Sequence, residues 1–160
     1  MAQLRGLGLP GIAAVTVGAV LVLAAFTKLN WYSGSSQGAD SIGGGIDFRT
    51  LHARVTTFDA PGISSAYFAW LAWTILIAAI LLGFGANLPG RAADSLRVLG
   101  ATLGAIGAAA TYIALHELVA AAGTGAGVFD HAAIGLWLTL AGYLLIAIGA
   151  AAGPLPAPRV

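Results

Sequence analysis

Four long apolar runs constrain this sequence more than any other feature. They cover about residues 8–29, 65–86, 96–118 and 132–152, and their central parts carry no charged side chain. Each is long enough to cross the hydrocarbon core of a bilayer as a helix of about 20 residues. Only 8% of the 160 residues are charged, against roughly 25% in a soluble domain. We therefore expect an all-α membrane protein, a single four-helix antiparallel bundle.

The longest polar stretch, residues 30–64, follows the first run and is expected to lie outside the cytoplasm. Its first part is rich in Gly and Ser and should be irregular. In its second part, one face of a helix over 47–58 would carry the apolar residues Phe48, Leu51, Val55 and Phe58. Asp47 could cap this helix, and Pro61-Gly62 would stop it. A strand pair is the alternative, because Ile46, Phe48 and Thr50 alternate with other residues; we favour the helix.

Basic residues favour both termini in the cytoplasm and a plasma-membrane location. With four spans the termini share one side, which would hold Arg5, Arg91, Arg97 and Arg159. Lys28, Arg49 and Arg54 would lie on the other side, the latter two deep in a longer loop where the positive-inside rule weakens. The abundance of Ala and Gly with a single Lys is typical of a high-GC genome such as an actinobacterium.

The histidines are candidate metal ligands, but their spacing is unfavourable. His52, His116 and His131 all fall on the expected outer side, near Glu117 and Asp130. Imidazole and carboxylate groups bind zinc or copper. However, neighbours such as His116 and Glu117 point about 100° apart on a helix, and the HExxH spacing is absent. We therefore expect polar helix ends rather than a metal site, and no cofactor or catalytic residue.

Glu117 has two interpretations. If the third span continues to Ala122, the carboxylate is partly buried, and acids inside a membrane are often functional. We favour a position one turn beyond the hydrocarbon edge, hydrogen-bonded by His116 or the loop.

Two further groups of residues are candidate packing or partner surfaces. Gly100, Gly104 and Ala108 form a small-xxx-small pattern, which allows close helix packing within the bundle or against another membrane protein. Tyr67, Trp70 and Trp73 crowd the start of the second span and predict an aromatic belt at the membrane surface. The alternative for these aromatics is contact with a lipid or with a partner's helix.

Two short sequence segments are similar to a known family, FRTLHA at 48–53 and AYFAWLAWTILI at 66–77. They resemble the accessory membrane subunit, or lipid uptake coordinator, of mycobacterial Mce lipid importers. The resemblance implies a non-catalytic subunit packed beside the permease of an ATP-driven lipid transporter.

Three functions remain open on the sequence. The first is an accessory or stabilising subunit, with lipid import favoured over a respiratory complex. Its partners would be permease-like membrane subunits, lipids and, at the 47–58 face, a periplasmic protein. The others are a small metal-binding membrane enzyme using the outer His, Glu and Asp groups, and an independent oligomeric transporter. Nucleic acid is not an expected partner, because the net charge is +1 and basic residues do not cluster.

Overall fold

The structure is a computed structural model that describes residues 7–33, 45–58, 62–123 and 125–153. Three residues used in the sequence argument, Arg5, Pro61 and Arg159, lie outside the described residues, as does the 34–44 part of the polar segment.

Five helices make up most of the described chain, and four of them are long and apolar enough to cross a membrane. The helices are α1 (Leu9–Thr27), α2 (Phe48–Thr57), α3 (Ile63–Ala86), α4 (Ala93–Ala121) and α5 (Ile134–Ala152). All but α2 are the spanning helices, and their bounds agree with the four apolar runs to within three residues. The prediction of an all-α, multi-pass membrane protein is therefore confirmed.

The segment before α3 contains a short strand pair followed by the favoured helix; Phe48 and Thr50, part of the alternating pattern, are helical. Asn30–Tyr32 (β1) and Ile46–Asp47 (β2) pair as short antiparallel strands, and α2 begins directly after β2. Asp47 caps α2, because its carboxylate accepts the backbone N–H of Thr50 at 2.7 Å. The predicted helix is confirmed, with Phe48, Leu51 and Val55 on its buried face. Phe58 does not share that face; it follows the last helical residue and is exposed.

The closest helix contact joins α1 to α5 through two pairs of glycines. A Cβ at Gly18 would lie 2.5 Å from the carbonyl oxygen of Gly142, and a Cβ at Gly142 would lie 2.7 Å from that of Gly18. Gly11 and Gly149 have the same reciprocal relation, at 2.6 and 2.7 Å. Such backbone approach requires residues without side chains. We call these two pairs the glycine seam.

The predicted small-xxx-small pattern of α4 is used inside the bundle. Gly100 and Gly104 are buried, and a Cβ on either would lie 2.9 Å from α5, at Ala150 and Ala147 respectively. Ala108 is half-buried and packs against the core. Gly100 and Gly104 therefore allow α4 to pack closely against α5, the intramolecular alternative of the two considered.

The bundle has two distinct ends, one of which is crossed by β1. This end, here called the α2 end, holds α2, the end of α1, the start of α3 and the α4–α5 loop. The Ala133 N–H donates to the Trp31 carbonyl, the Ser33 N–H donates to the His131 carbonyl, and the Tyr32 hydroxyl donates to the Val128 carbonyl. Burial raises the pKa of Tyr32 to about 12, so this hydroxyl stays protonated and donating at neutral pH.

The opposite end is held together by Asn87, which follows α3 and is fully buried. Its side-chain nitrogen donates to the carbonyl oxygens of Gly83 and Gly149, at 2.8 and 2.9 Å. Its own backbone carbonyl accepts the N–H of Gly8, just before α1. One residue therefore joins α3, α5 and the start of α1.

Candidate functional site

Aromatic rings from four elements meet at the α2 end of the bundle. Phe48, the first residue of α2, lies at their centre. Its ring stacks on Phe26 of α1 with centroids 4.5 Å apart, and it also contacts Trp31, Phe68 and Trp73 at 5.3 to 6.3 Å. We call these five residues the aromatic cluster. Its rings fix α2 against α1 and α3, and Trp31 is held further by donating its indole N–H to the Ala25 carbonyl at 2.9 Å.

A pocket of about 460 Å³ opens beside the aromatic cluster. This volume is within the range of about 300–1,000 Å³ found for small-molecule sites. The pocket has an apolar wall made by the end of α1, the start of α2 and the first turns of α3. The residues of this wall are Phe26, Phe48, Phe68, Ala69 and Trp73.

The rim of the pocket is polar and comes mainly from the first turns of α2. It consists of Thr27, Asp47, Arg49 and His52. The Thr50 side chain and backbone N–H, with help from nearby Arg49, hold the pKa of Asp47 below its usual range. Asp47 is therefore an anion engaged in capping. Arg49 and His52 are exposed, and within the described ranges Arg49 has no ion pair. The pocket thus combines an aromatic wall with one cation, Arg49, one anion already engaged in capping, Asp47, and further hydrogen-bonding groups at its mouth.

The backbone of α3 departs from α-helical geometry at this pocket. Tyr67–Leu71 form a π-helical segment, in which each backbone bond spans one residue more than in an α-helix. Because the turn is wider, the adjacent residues Tyr67 and Phe68 are both buried, while Ala69 faces the pocket. Such segments occur frequently at functional sites.

Tyr67, Trp70 and Trp73 do not form one exposed face, although the sequence places them together at the start of the second span. Tyr67 is 0% exposed and its hydroxyl hydrogen-bonds that of Thr111 at 2.6 Å, whereas Trp70 is 57% exposed on the lipid-facing side. Trp73 is half-buried and belongs to the aromatic cluster. The reason is the π-helical segment, which changes the angular spacing of these residues. Only Trp70 fits a surface belt.

The carboxylate of Glu117, on α4, forms a hydrogen bond with the first turn of α3. Its Oε2 accepts the backbone N–H of Ser64 at 2.8 Å, and Gly62, at the start of that helix, supplies no side-chain cap of its own. The first N–H groups of a helix lack intrahelical partners, and a carboxylate satisfies them well. The Ser64 hydroxyl in turn donates to the Ala114 carbonyl. Glu117 is half-buried, and its partner is α3 rather than His116, contrary to our expectation.

The candidate metal ligands do not come together. His52 lies at the pocket rim, His116 is exposed on α4, and His131 is in the α4–α5 loop with a positive φ of 62°. The Asp130 carboxylate accepts the Gly127 N–H at 2.7 Å within that loop. Among the described residues, no three His, Asp or Glu side chains are close enough to share a metal ion.

A second aromatic feature lies on the outer surface of α4 and α5, also at the α2 end. Phe129 of the connecting loop stacks on Trp137 of α5 at 5.2 Å and on Tyr112 of α4 at 5.9 Å. The His116 ring continues the series at 6.1 Å from Tyr112. Tyr112, Phe129 and Trp137 are 43%, 45% and 50% exposed. We call these four residues the aromatic strip.

Sequence reasoning did not find the aromatic strip, although part of its signal was present. Tyr112 and His116 are four residues apart and must share a helix face, and Trp137 stands in the first turn of its span. Their convergence with Phe129 depends on how the loop folds, and no local pattern predicts that.

Comparisons with known proteins gave no match: no protein-family model, curated protein or solved structure is significantly similar to this chain. The class of the protein is therefore defined by the fold and the described sites alone. It is a four-span membrane protein with an aromatic-walled pocket and an external aromatic strip at one end.

Proposed function

We propose that this chain is a non-catalytic accessory subunit of a larger membrane complex, most consistent with a lipid importer. In this arrangement both termini lie on the cytoplasmic side of the plasma membrane. The α2 end then faces outward, and a permease-like subunit packs against α4 and α5.

The aromatic strip is the observation that carries this proposal. Its rings stack on one another outside the bundle and contribute little to the core, because three of them are close to half exposed. Tyr and Trp are enriched at the centres of protein interfaces, where they dominate binding energy. A membrane belt also collects aromatics, but it needs rings distributed around the bundle. Here three of the exposed rings and His116 are gathered on one face, across two helices and their loop, and stack on one another, while Trp70 and Phe58 are exposed elsewhere.

The polar groups inside the bundle favour a stabilising role for this chain over conduction of an ion. The buried polar side chains Ser64, Thr111 and Thr139 of the described spans, and Asn87 directly after α3, each donate a hydrogen bond to helix backbone, although the Oδ1 of Asn87 accepts none among the described residues. Groups engaged in this way hold helices together and are not available to a permeating ion. The glycine seam further closes the interior between α1 and α5.

Lipid transport is favoured over respiration by the position of the two strings that resemble the Mce accessory subunit. Residues 48–53 supply Phe48, Arg49 and His52 to the pocket, and residues 66–77 supply Phe68, Ala69 and Trp73. The resemblance is thus concentrated on the walls of one pocket rather than scattered over the spans.

The test is recovery of partner subunits from native membranes. The tagged chain, extracted in mild detergent, should bring down one permease-like subunit and its ATPase, identified by mass spectrometry. Tyr112→Ala with Trp137→Ala should reduce recovery of that same permease at least several-fold, because interface aromatics commonly contribute about 2 kcal/mol or more. A matched control is Ile77→Ala with Leu81→Ala, which changes exposed residues of α3 rather than of α4 and α5.

Two results would contradict the proposal. Recovery of the chain alone and monodisperse at native abundance would exclude a stable complex. Recovery of respiratory subunits in place of a transporter would leave an accessory role and remove the lipid assignment.

A further inference from the structure

We infer that the pocket between α1, α2 and α3 binds one phospholipid with an anionic headgroup. Its phosphate lies at Arg49 and its first acyl carbons lie against the aromatic wall. This inference stands on the pocket alone and does not depend on the existence of partner subunits.

The first argument is the depth of the pocket relative to the membrane. A helix of about 20 residues crosses the hydrocarbon core, so the end of α1 at Thr27 marks one membrane boundary. Phe26 and Thr27 both line the pocket, and the exposed Lys28 follows them. The pocket therefore lies where lipid glycerol and phosphate groups are found.

The second argument is that polarity changes across the pocket in the direction a lipid requires. The groups contributed by the α1 and α3 spans are mainly apolar, with Phe26, Phe68 and Trp73 nearest the hydrocarbon. Those contributed by α2, on the water side, are Asp47, Arg49 and His52. An apolar ligand would leave the polar groups of the rim without a partner, and a small hydrophilic ligand would leave the aromatic wall exposed to water. An amphiphile satisfies both.

The third argument concerns charge at the rim. The guanidinium of Arg49 is exposed and has no ion pair within the described ranges. Arginine binds phosphate through paired, charge-assisted hydrogen bonds. Asp47 is the one acidic group that lines the pocket, and its Oδ1 is engaged by the Thr50 N–H at 2.7 Å. His52 supplies a second hydrogen-bonding group on the same helix. A headgroup phosphate can accept hydrogen bonds from Arg49, while the Asp47 carboxylate is already engaged in capping; we infer that an anionic headgroup is preferred, and the comparison of two lipids below tests this.

The fourth argument is the small residue at the π-helical segment. Ala69 lies in that segment and lines the pocket, so its short side chain leaves the space open. A larger apolar residue there would occupy the volume that the lipid takes.

The experiment uses the purified full-length chain without other subunits, reconstituted with phosphatidylglycerol or phosphatidylcholine and examined by native mass spectrometry. We expect one retained phosphatidylglycerol per chain and weaker retention of phosphatidylcholine. Arg49→Gln should lower phosphatidylglycerol retention about tenfold, the effect of losing charge-assisted hydrogen bonds. Arg54→Gln is the matched control, because Arg54 is on the same helix but does not line the pocket.

A second measurement places the lipid inside the pocket. Trp70→Phe and Trp137→Phe remove the two most exposed indoles and leave Trp73, which lines the pocket, and Trp31, which is fully buried and does not line it. Brominated phosphatidylglycerol should then quench the part of the fluorescence that comes from Trp73. Ala69→Leu should abolish this quenching, while Ala105→Leu on an exposed face of α4 should not. The thermal midpoint of each variant shows that it is folded.

The outcomes distinguish lipid from free phosphate and from failure. Displacement of the signal by millimolar inorganic phosphate, with no dependence on acyl chains, would show a phosphate site and overturn the lipid assignment. The inference would be overturned altogether if the chain retained the two lipids equally and if neither Arg49→Gln nor Ala69→Leu changed that retention. Since no partner is present, neither result bears on whether the chain joins a complex.

Discussion

At the scale of single residues, Asp47 and Glu117 each place a carboxylate at the N-terminus of a helix. Asp47 caps its own helix, α2, through the Thr50 N–H. Glu117 reaches from α4 to the Ser64 N–H at the start of α3. Charges at these positions offset the positive end of the helix dipole and satisfy exposed N–H groups. The two acids therefore stabilise the walls around the pocket, since both α2 and α3 line it.

The Asp47 cap should be pH-dependent. The pKa of Asp47 in the folded chain is below its ordinary value of 3.8, so the cap stabilises α2 fully above that value. This stability is lost as the pH falls below 3.8 and through the lowered pKa. The amide resonance of Thr50, followed by NMR in detergent, should titrate with a midpoint below 3.8.

Asp47→Asn provides the control, because asparagine caps helices nearly as well and does not titrate. In that variant the Thr50 resonance should stay constant over the same pH range. A wild-type midpoint at or above 3.8 would show that the carboxylate is not held by the helix.

At the scale of elements, the glycine seam determines how closely α1 approaches α5. The contact is between backbones, with carbonyl oxygens at the positions that β-carbons would occupy. Membrane helices gain little from the hydrophobic effect, so close packing supplies much of their association. The seam is therefore expected to contribute more to stability than its small side chains suggest.

Gly18→Ala should destabilise the bundle by about 1–3 kcal/mol, the usual cost of overpacking. The new Cβ would meet the Gly142 carbonyl at 2.5 Å, and a backbone atom cannot rotate away. The measurement is the midpoint of thermal or SDS-induced unfolding in micelles. Gly90→Ala is the control, because a Cβ there meets nothing within 4 Å. Equal midpoints for the two variants would show that α1 and α5 are not tightly packed.

These elements also show what could be predicted from the sequence. Hydropathy located the four spans, and the spacing of Phe48, Leu51 and Val55 located α2, since both signals repeat over many residues. The α1–α5 seam was not predicted, because glycine is common in apolar runs and the partner helix is more than 100 residues away. The π-helical segment has no local sequence signal, and its effect on Tyr67 was missed for that reason.

At the scale of the whole molecule, the two candidate sites share one end of the bundle. The pocket lies between α1, α2 and α3, and the aromatic strip lies on α4 and α5. The other end is closed by Asn87 and by the short link between α3 and α4. Because both candidate sites lie at the α2 end, the side of the membrane that this end faces matters for function.

The proposed orientation can be tested by labelling, because the sequence contains no cysteine. Thr56→Cys places a thiol on an exposed residue of α2, and Gly90→Cys places one in the exposed α3–α4 link. In intact cells, a membrane-impermeant maleimide should modify the first and spare the second. After lysis it should modify both. The reverse pattern would place the α2 end in the cytoplasm and invert the topology.

The position of Asn87 has a consequence for biogenesis. During synthesis α1 and α3 enter the bilayer before α5 has been translated, so the carboxamide of Asn87 has no Gly149 carbonyl to bond. Its bond to the Gly83 carbonyl, within α3, can already form, but the second N–H would be costly to bury without an acceptor, and we expect it to keep a water at this end of the α1–α3 pair. Insertion of α5 then supplies the missing acceptor, expels that water and brings the paired glycines together. We therefore expect the early helices to stay hydrated at this end until α5 arrives and the bundle packs.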